Sequence, residues 1–245
     1  MARQSRAPTV LLTRPAPQSQ RFAQELRAVL GEVALVIAPL MQTESLQPAL
    51  PDRPFRAVIL TSETGAQAAG RLLAAGQALP RQAFCVGNRT ARAAQAAGFQ
   101  TLSAEGDAKA LIDLVRAHQT RGPLVHLRGE DSAGQLAETL TIGGLETVSA
   151  IVYAQRPCPL STEAHDLLTR TAPVVVPVFS PRSARLLAQA LPQGRSAPLW
   201  IVAISPAAAA AAGALSPDRL VTVDHPDGEN MLHAVAALLS ADANA

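Results

Sequence analysis

The chain contains an internal repeat, and the order of its copies constrains the fold more than any single motif. Residues 57–62 (AVILTS) and 175–180 (VVPVFS) are apolar runs that end on a serine and open an alanine- and leucine-rich stretch. The next junction of this kind follows 25 residues after the serine in both copies, at Gly87 and at Ser205. Because such self-similarity marks repeated supersecondary units, we expect one strand–helix arrangement in two parts of the chain.

A second pair of segments repeats in a permuted order. Val10–Arg14 (VLLTR) and Val125–Gly129 (VHLRG) are each followed by a helical stretch and a further apolar run. The unit at the chain start therefore recurs in the middle, whereas the first serine unit recurs near the end. The alternative is one continuous sheet without two lobes. The predicted division assigns residues 1–37 plus 157–245 to the first lobe, 41–150 to the second, and 38–40 and 151–156 to interlobe linkers.

Short aliphatic runs alternate with longer alanine- and leucine-rich stretches along the chain. This alternation predicts an α/β fold with parallel sheets, because helices cross over between parallel strands. Boundaries read from sequence are accurate to a few residues. The predicted strands are Thr9–Thr13, Val33–Ile37, Ala57–Thr61, Ala83–Val86, Leu124–Arg128, Thr147–Tyr153, Val174–Phe179, Leu199–Ile204 and Leu220–Val223.

Composition and charge argue against several classes of function. The net charge is +2 and the arginines are scattered from Arg3 to Arg219, whereas nucleic-acid binding needs a clustered basic face. Cys85 and Cys158 lack the spacing of a metal site. No apolar run near the N-terminus is long enough for a signal peptide or a membrane span. We therefore expect a cytoplasmic protein that binds neither nucleic acid nor membrane.

Polar residues stand at the predicted strand-to-helix junctions. Open α/β sheets bind ligands at the carboxyl ends of their strands, with backbone amides and helix N-termini. Hydroxyl, amide and guanidinium groups favour an anion, so we expect a multiply anionic small molecule in a cleft between the lobes. The alternative for each serine or threonine is a helix N-cap without a ligand. The junctions are Thr13-Arg14, Thr61-Ser62, Gly87-Asn88-Arg89-Thr90, Arg128-Gly129 and Ser180-Pro181-Arg182-Ser183.

Motifs of other enzyme classes are missing from the sequence. It contains no Gly-Lys-Ser/Thr phosphate loop, no Gly-x-Gly-x-x-Gly after a strand and no Gly-x-Ser-x-Gly. A sugar-phosphate isomerase is an alternative, but it needs a general base, and no carboxylate or histidine stands clearly at a junction. A non-catalytic binding or regulatory module with the same two lobes is the other alternative.

Several short segments follow one another in a characteristic order. They are Thr13-Arg14-Pro15, Leu60-Thr61-Ser62, Val86-Gly87-x-x-Thr90-Ala91-x-Ala93, Gly98, Leu127-Arg128-Gly129, Val152-Tyr153 and Phe179-Ser180-Pro181-x-Ser183. This pattern resembles the uroporphyrinogen-III synthase family over residues 9–239. The resemblance implies two flavodoxin-like parallel-sheet lobes joined by a two-stranded linker, with no metal and no organic cofactor.

The resemblance also implies a reaction. The substrate would be hydroxymethylbilane, a linear tetrapyrrole whose side chains carry carboxylates, and porphobilinogen deaminase would deliver it. The enzyme would close this chain with loss of water and inversion of ring D, giving uroporphyrinogen III for haem and related pathways. Its main task would be to position the flexible substrate. A monomer is the simplest expectation.

Site residues follow from the same resemblance. Tyr153, the single tyrosine, would donate a proton to the departing hydroxyl, or it would only pack and form a hydrogen bond. The junction at Ser205–Ala209 departs from the family's Gly-x-x-Thr-Ala pattern, which favours the binding-module alternative. The residues expected to line the substrate site are Thr13, Arg14, Thr61, Ser62, Gly87, Thr90, Arg128, Gly129, Ser180 and Ser183.

Overall fold

The computed structural model describes residues 7–119, 121–132 and 135–243. Residues 1–6 and 244–245 of the first predicted lobe, and 120, 133 and 134 of the second, lie outside the described residues. The strands are β1 (Thr9–Leu12), β2 (Leu35–Ile37), β3 (Met41–Ser45), β4 (Val58–Leu60), β5 (Gln82–Cys85), β6 (Gln100–Ser103), β7 (Leu124–Gly129), β8 (Thr147–Pro157), β9 (Val174–Val178), β10 (Leu199–Ala203) and β11 (Arg219–Thr222). The helices are α1 (Ala16–Leu30), α2 (Glu63–Ala74), α3 (Asn88–Ala96), α4 (Ala108–His118), α5 (Leu136–Ile142), α6 (Thr162–Thr169), α7 (Pro181–Ala190), α8 (Pro206–Ala212) and α9 (Gly228–Ala243), with a 3₁₀ turn at Gly213–Leu215.

The chain forms two compact units. The first consists of the residues up to 42 and those from 156 onward, and the second of residues 43–155. The chain passes between the units within β3 and β8, which are hydrogen-bonded neighbours. Leu46 N donates to Val152 O, and Gln155 donates to Thr43 Oγ1, so β3 and β8 run antiparallel.

The first unit contains a five-stranded parallel sheet in the order β2-β1-β9-β10-β11. β9 and β10 are buried along their whole length, as expected for strands with helices on both faces. Leu11 and Val176 belong to one apolar cluster, whereas Val10 and Val175 belong to another. Successive residues of one strand therefore pack on opposite faces of the sheet.

The second unit contains a six-stranded sheet in the order β3-β8-β7-β4-β5-β6. The strands from β8 to β6 are parallel to one another. Its apolar residues also form two clusters, one with Val58 and Val125 and the other with Ile59 and Leu124. A helical layer on each face explains why β4 is apolar and buried throughout.

The parallel strands of the two units share one spatial order. The sequence β8-β7-β4-β5-β6 repeats β2-β1-β9-β10-β11, so β7 corresponds to β1 and β4 corresponds to β9. This is the flavodoxin-like order 2-1-3-4-5, and in the second unit its strands occur in a permuted order along the chain. The predicted α/β class with parallel sheets is confirmed.

Two strands, β3 and β6, were not predicted from the sequence. Their sequences, MQTES and QTLS, are mostly polar, and both strands lie at the edges of the second unit's sheet. An edge strand covers little apolar surface, so its sequence carries a weak periodic signal. β3 is a strand because its backbone pairs with β8, and β6 because its backbone pairs with β5, although neither has the side-chain pattern of a strand.

The described residues offer neither a membrane-spanning helix nor a cluster of metal ligands. None of the helices described is long and apolar enough to cross a membrane. Within the same residues, no group of three or more histidine, cysteine or carboxylate side chains is placed to hold a metal ion. Burial raises the pKa of the Cys85 thiol to about 12, so this free cysteine behaves as a packed apolar side chain.

Candidate active site

Each sheet has one point where the chain connections leave in opposite directions. In the first unit this switch point lies between β1 and β9, and in the second it lies between β7 and β4. The carboxyl ends of strands at such a point form the usual ligand edge of a doubly wound sheet. Most of the predicted site residues follow these four strands.

At the first unit's edge, Arg14 is held by its neighbours. Its guanidinium lies 4.1 Å from the centre of the Phe179 ring, and its Nε donates to Gln18 Oε1 at 3.0 Å. Ser19 Oγ donates to the Arg14 carbonyl at 2.8 Å. Thr13, directly before it, is buried, and its carbonyl accepts from the backbone of Leu40. The fold therefore fixes one cationic group beside the end of β1.

Ser180 and Ser183 form the N-terminal cap of α7. Ser180 Oγ accepts from the Ser183 amide at 3.1 Å, and Ser183 Oγ accepts from the Ser180 amide at the same distance. This reciprocal arrangement is a capping box, which satisfies amides that the helix leaves without carbonyl partners. Both predicted binding serines thus have a structural role that needs no ligand.

At the second unit's edge, Tyr153 meets Ser62. Tyr153 Oη lies 3.1 Å from Ser62 Oγ, although 91 residues separate the two in sequence. Ser62 is the N-cap of α2, and its Oγ also accepts from the Gly65 amide at 3.0 Å. The tyrosine is half-buried. The phenol hydroxyl is therefore hydrogen-bonded to the N-cap serine of α2, at the carboxyl end of the central strands.

Gly129 makes room for the tyrosine ring. A Cβ at this position would lie 2.6 Å from Tyr153 Cζ and 2.8 Å from its Oη, closer than side-chain contacts allow. The ladder between β7 and β8 shifts register here, since Arg128 pairs with Ile151 but Gly129 pairs with Tyr153. This bulge sets the tyrosine over the glycine. Gly129 is thus required by the tyrosine as well as being a predicted binding residue.

Arg128 forms hydrogen bonds with the neighbouring strand β8 and with the backbone at the end of β7. Its Nε donates to Ser149 Oγ at 2.7 Å, and one terminal nitrogen donates to the carbonyl oxygens of Gly129 and Glu130 at 2.9 and 3.3 Å. These contacts stabilise the bulged turn after β7. They place the guanidinium beside Gly129 at the carboxyl end of β7.

His126 lies beneath the second unit's edge. It is 5% exposed, and its Nε2 lies 3.4 Å from Thr61 Oγ1. Burial, and secondarily the charge of Arg128, lowers the pKa of His126 to about 4. The imidazole is therefore neutral near pH 7 and can accept a hydrogen bond from the threonine hydroxyl. Sequence analysis did not connect this histidine with Thr61, because the contact depends on the pairing of β4 with β7.

Gly87 and Thr90 lie at the start of α3, after β5. Gly87 is the N-cap residue and supplies no side-chain cap, and a Cβ on it would meet no atom within 4 Å. Thr90 is buried in the first turn. In the first unit the corresponding junction is capped by Ser205, whose Oγ accepts from the Ala208 amide at 3.3 Å. At this junction α8 therefore has a side-chain cap from Ser205, whereas α3 in the second unit has none.

The structure brings together some of the predicted site residues within each unit. In the second unit Tyr153 contacts both Ser62 and Gly129, and Thr61 directly precedes Ser62. Sequence analysis missed Gly65 as the second partner of Ser62. The serine–x–x–glycine spacing at a helix start was a usable signal, because an N-cap side chain accepts from the third following amide.

Comparison with known proteins gives one family and several solved structures. The family model described as Uroporphyrinogen-III synthase HemD matches residues 20–233. A uroporphyrinogen-III synthetase from Helicobacter pylori 26695 is similar in structure, with a TM-score of 0.65 and 16% identity over 94% of this chain and 99% of that one. A mutant uroporphyrinogen III synthase from Thermus thermophilus has a TM-score of 0.51 and 17% identity, over 96% of this chain and 100% of that one. These structural likenesses establish a shared fold. No curated protein matches the chain.

Proposed function

The chain belongs to the uroporphyrinogen-III synthase family, whose model matches residues 20–233, and we propose that it converts hydroxymethylbilane to uroporphyrinogen III. The reaction removes the terminal hydroxyl as water and closes the tetrapyrrole with ring D inverted. The chain is a cyclising lyase, and the family's reaction calls for neither a metal nor an organic cofactor in these bond changes.

Tyr153 is the proposed general acid. Its Oη gives a proton to the departing hydroxyl, the C–O bond breaks with its electron pair on the water oxygen, and the pyrrole nitrogen supplies electrons to the azafulvene. The substituted carbon of ring D then attacks, and the spiro intermediate fragments and recloses. The proton released in the final closure returns to the phenolate, so that the net change is loss of one water. The observation that carries this role is the hydroxyl's position at the carboxyl edge, 3.1 Å from Ser62 Oγ.

The other predicted site residues are proposed to bind the substrate's carboxylates. Arg14 offers a guanidinium that Phe179 and Gln18 hold in place, which favours pairing with an anion. The amides at the start of α3, behind Gly87, offer donors without a side-chain cap, and Thr90 lies in the same turn. We assign the remaining contacts, by position at the two carboxyl edges, to Thr13, Thr61, Ser62, Arg128, Gly129, Ser180 and Ser183.

The setting of the reaction is also a proposal. We propose a monomeric cytoplasmic enzyme that receives hydroxymethylbilane from porphobilinogen deaminase. Residues 1–37 with 157–245, and 41–150, would serve as its lobes, with 38–40 and 151–156 as linkers. Membership of the synthase family supports this setting, because its substrate is the product of that deaminase.

A coupled assay tests the function. Porphobilinogen deaminase generates hydroxymethylbilane in the presence of the protein, and the oxidised porphyrin isomers are separated. We expect mainly isomer III with the wild type. Isomer I alone, from protein with a normal circular dichroism spectrum, would contradict the synthase and favour the non-catalytic binding module.

Tyr153→Phe tests the acid in the same assay. The variant keeps the ring over Gly129 but loses the hydroxyl, so we expect kcat to fall about a hundredfold or more, the usual contribution of a positioned general acid. Ser161→Ala is the control, because Ser161 caps α6 through the Ala164 amide and is not among the proposed site residues. Near wild-type turnover of a stable Tyr153→Phe would leave the tyrosine a packing role.

A further inference from the structure

The hydrogen bond between Ser62 and Tyr153 has two possible directions, and the surroundings favour one. A serine hydroxyl carries one proton and two acceptor sites. The Gly65 amide already donates to Ser62 Oγ at 3.0 Å, so one acceptor site is occupied. The serine proton is then available for Tyr153 Oη at 3.1 Å.

The helix that begins after Ser62 also favours donation from the serine hydroxyl to Tyr153 Oη. Ser62 is the N-cap of α2, a helix of 12 residues, whose N-terminus carries a partial positive charge. The hydrogen bond that the Gly65 amide donates to Ser62 Oγ draws electron density from this oxygen and makes the serine hydroxyl a better donor. The N-terminus of α2 therefore favours donation from the Ser62 hydroxyl to Tyr153 Oη.

We propose that Ser62 donates its proton to Tyr153 Oη and thereby directs the phenol proton outward to the departing hydroxyl, a role that rests on the proposed function of Tyr153 as the acid. When the phenol gives up its proton, the serine hydroxyl and the α2 N-terminus stabilise the phenolate. When the final closure releases a proton, the phenolate takes it back and the serine proton stays in place. Ser62 is thus a positioning residue that acts through the tyrosine.

Gly129 also limits where the tyrosine ring can lie. The tyrosine ring lies against its Cα, where a Cβ would come within 2.6 Å of Tyr153 Cζ. The bulge at Arg128 and Gly129 holds β8 in register for this contact, and the Glu130 amide donates to the Tyr153 carbonyl at 3.0 Å. The glycine and the serine together restrict where the hydroxyl can point.

The single tyrosine allows the direction of the bond to be measured without substrate. Alkaline titration of ultraviolet absorbance reports Tyr153 alone, since the chain contains no other tyrosine. We expect the tyrosinate signal of Ser62→Ala to rise at higher pH than that of wild type, because a donor to the phenolate has been lost. Ser62→Gly should shift in the same direction, and Ser62→Thr, which keeps the hydroxyl, should titrate like wild type. Circular dichroism at each pH confirms that the fold persists.

Kinetics supply the second readout. We expect kcat of Ser62→Ala and Ser62→Gly to fall roughly tenfold, with KM changed less than about twofold, and Ser62→Thr to recover most of the loss. Ser161→Ala removes a helix cap elsewhere and controls for lost stability; it should change neither the titration nor kcat. Ser62→Gly guards against misfolding, since glycine is well tolerated at an N-cap.

The outcomes separate the two proposals. A tyrosinate signal that is unshifted, or shifted to lower pH, in Ser62→Ala would overturn the donor role of Ser62 even if the wild type makes isomer III. A shift to higher pH with a selective loss of kcat would support it. Isomer I from the wild type would overturn the proposed function, and the titration would still decide the direction of the bond.

Discussion

The carboxyl edges of the two units are built on one strand order but carry different chemistry. In the first unit the serine after β9, Ser180, is engaged in a capping box with Ser183, and Arg14 stacks on Phe179 beside it. In the second unit the corresponding serine, Ser62, caps its helix through Gly65 and also meets Tyr153. One edge thus holds a fixed cation and the other a fixed phenol.

One position of the repeat contributes directly to this difference. The alignment of Val10–Arg14 with Val125–Gly129 places Arg14 opposite Gly129. The arginine fills its edge with a charged side chain, whereas the glycine leaves space for a ring from the next strand. The two copies of the scaffold therefore place different groups at their corresponding carboxyl edges.

The largest effect is expected when a side chain fills the space beside Gly129. In Gly129→Ala the new Cβ displaces the ring of Tyr153 from Ser62, so we expect kcat to fall about a hundredfold, close to the loss in Tyr153→Phe. Gly213→Ala is the matched control, since a Cβ there meets no atom within 4 Å. If Gly129→Ala kept full activity, the two edges would not differ in the way described.

A second test uses the buried histidine of the second unit. Because the folded pKa of His126 is about 4 and the unfolded value is about 6.5, the native state resists its protonation. Stability is full above pH 6.5 and falls as the pH drops toward 4, by up to about 3 kcal/mol. His126→Asn should lose this part of the pH dependence in urea unfolding between about pH 4 and 7. The exposed His118→Asn should behave like wild type, and equal slopes in both variants would contradict the assignment.

A third test concerns the cation of the first unit. Arg14→Met keeps much of the apolar contact with Phe179 but removes the charge. We expect KM to rise about tenfold, the scale of one charge-assisted hydrogen bond, with kcat changed less. A loss confined to kcat would instead place Arg14 in the chemical step. Steady-state kinetics on freshly generated hydroxymethylbilane provide the measurement.

The smallest effects are expected when the serine caps of α7 and α8 are removed. Ser180→Ala removes the capping box of α7, so we expect the free energy of unfolding to fall by about 1 kcal/mol. Ser205→Ala at the start of α8 should cost a similar amount, measured by urea denaturation. In both variants the alkaline titration of Tyr153 should match wild type. A shift in either would mean that cap loss alone changes the tyrosine's surroundings.

Much of the fold could be predicted from local patterns. The permuted repeat and the apolar alternation correctly indicated parallel α/β sheets, because central strands buried on both faces are continuous apolar runs, as in VVVPV of β9. The predicted family is confirmed by the model match over residues 20–233. The edge strands β3 and β6 were missed because polar side chains give them no periodic signal.

The candidate site could be predicted only in part, and its binding residues stay predictions. Serines before helices were recognisable from sequence, yet the same signal fits a cap and a ligand contact, as Ser180 and Ser62 illustrate. Gly129 was named as a binding residue from resemblance, but its contact with Tyr153 could not be foreseen. That contact depends on a register shift between β7 and β8.

The residues at the ends of the strands could be recognised from the sequence, since apolar runs and helix starts are encoded locally. Which of these residues meet depends on how the strands pair in the folded protein. Ser62 and Tyr153 are 91 residues apart, and Arg128 turns toward Ser149 because β8 lies beside β7. Strand pairing sets these neighbours, and a shift of one residue would turn each side chain to the other face of the sheet.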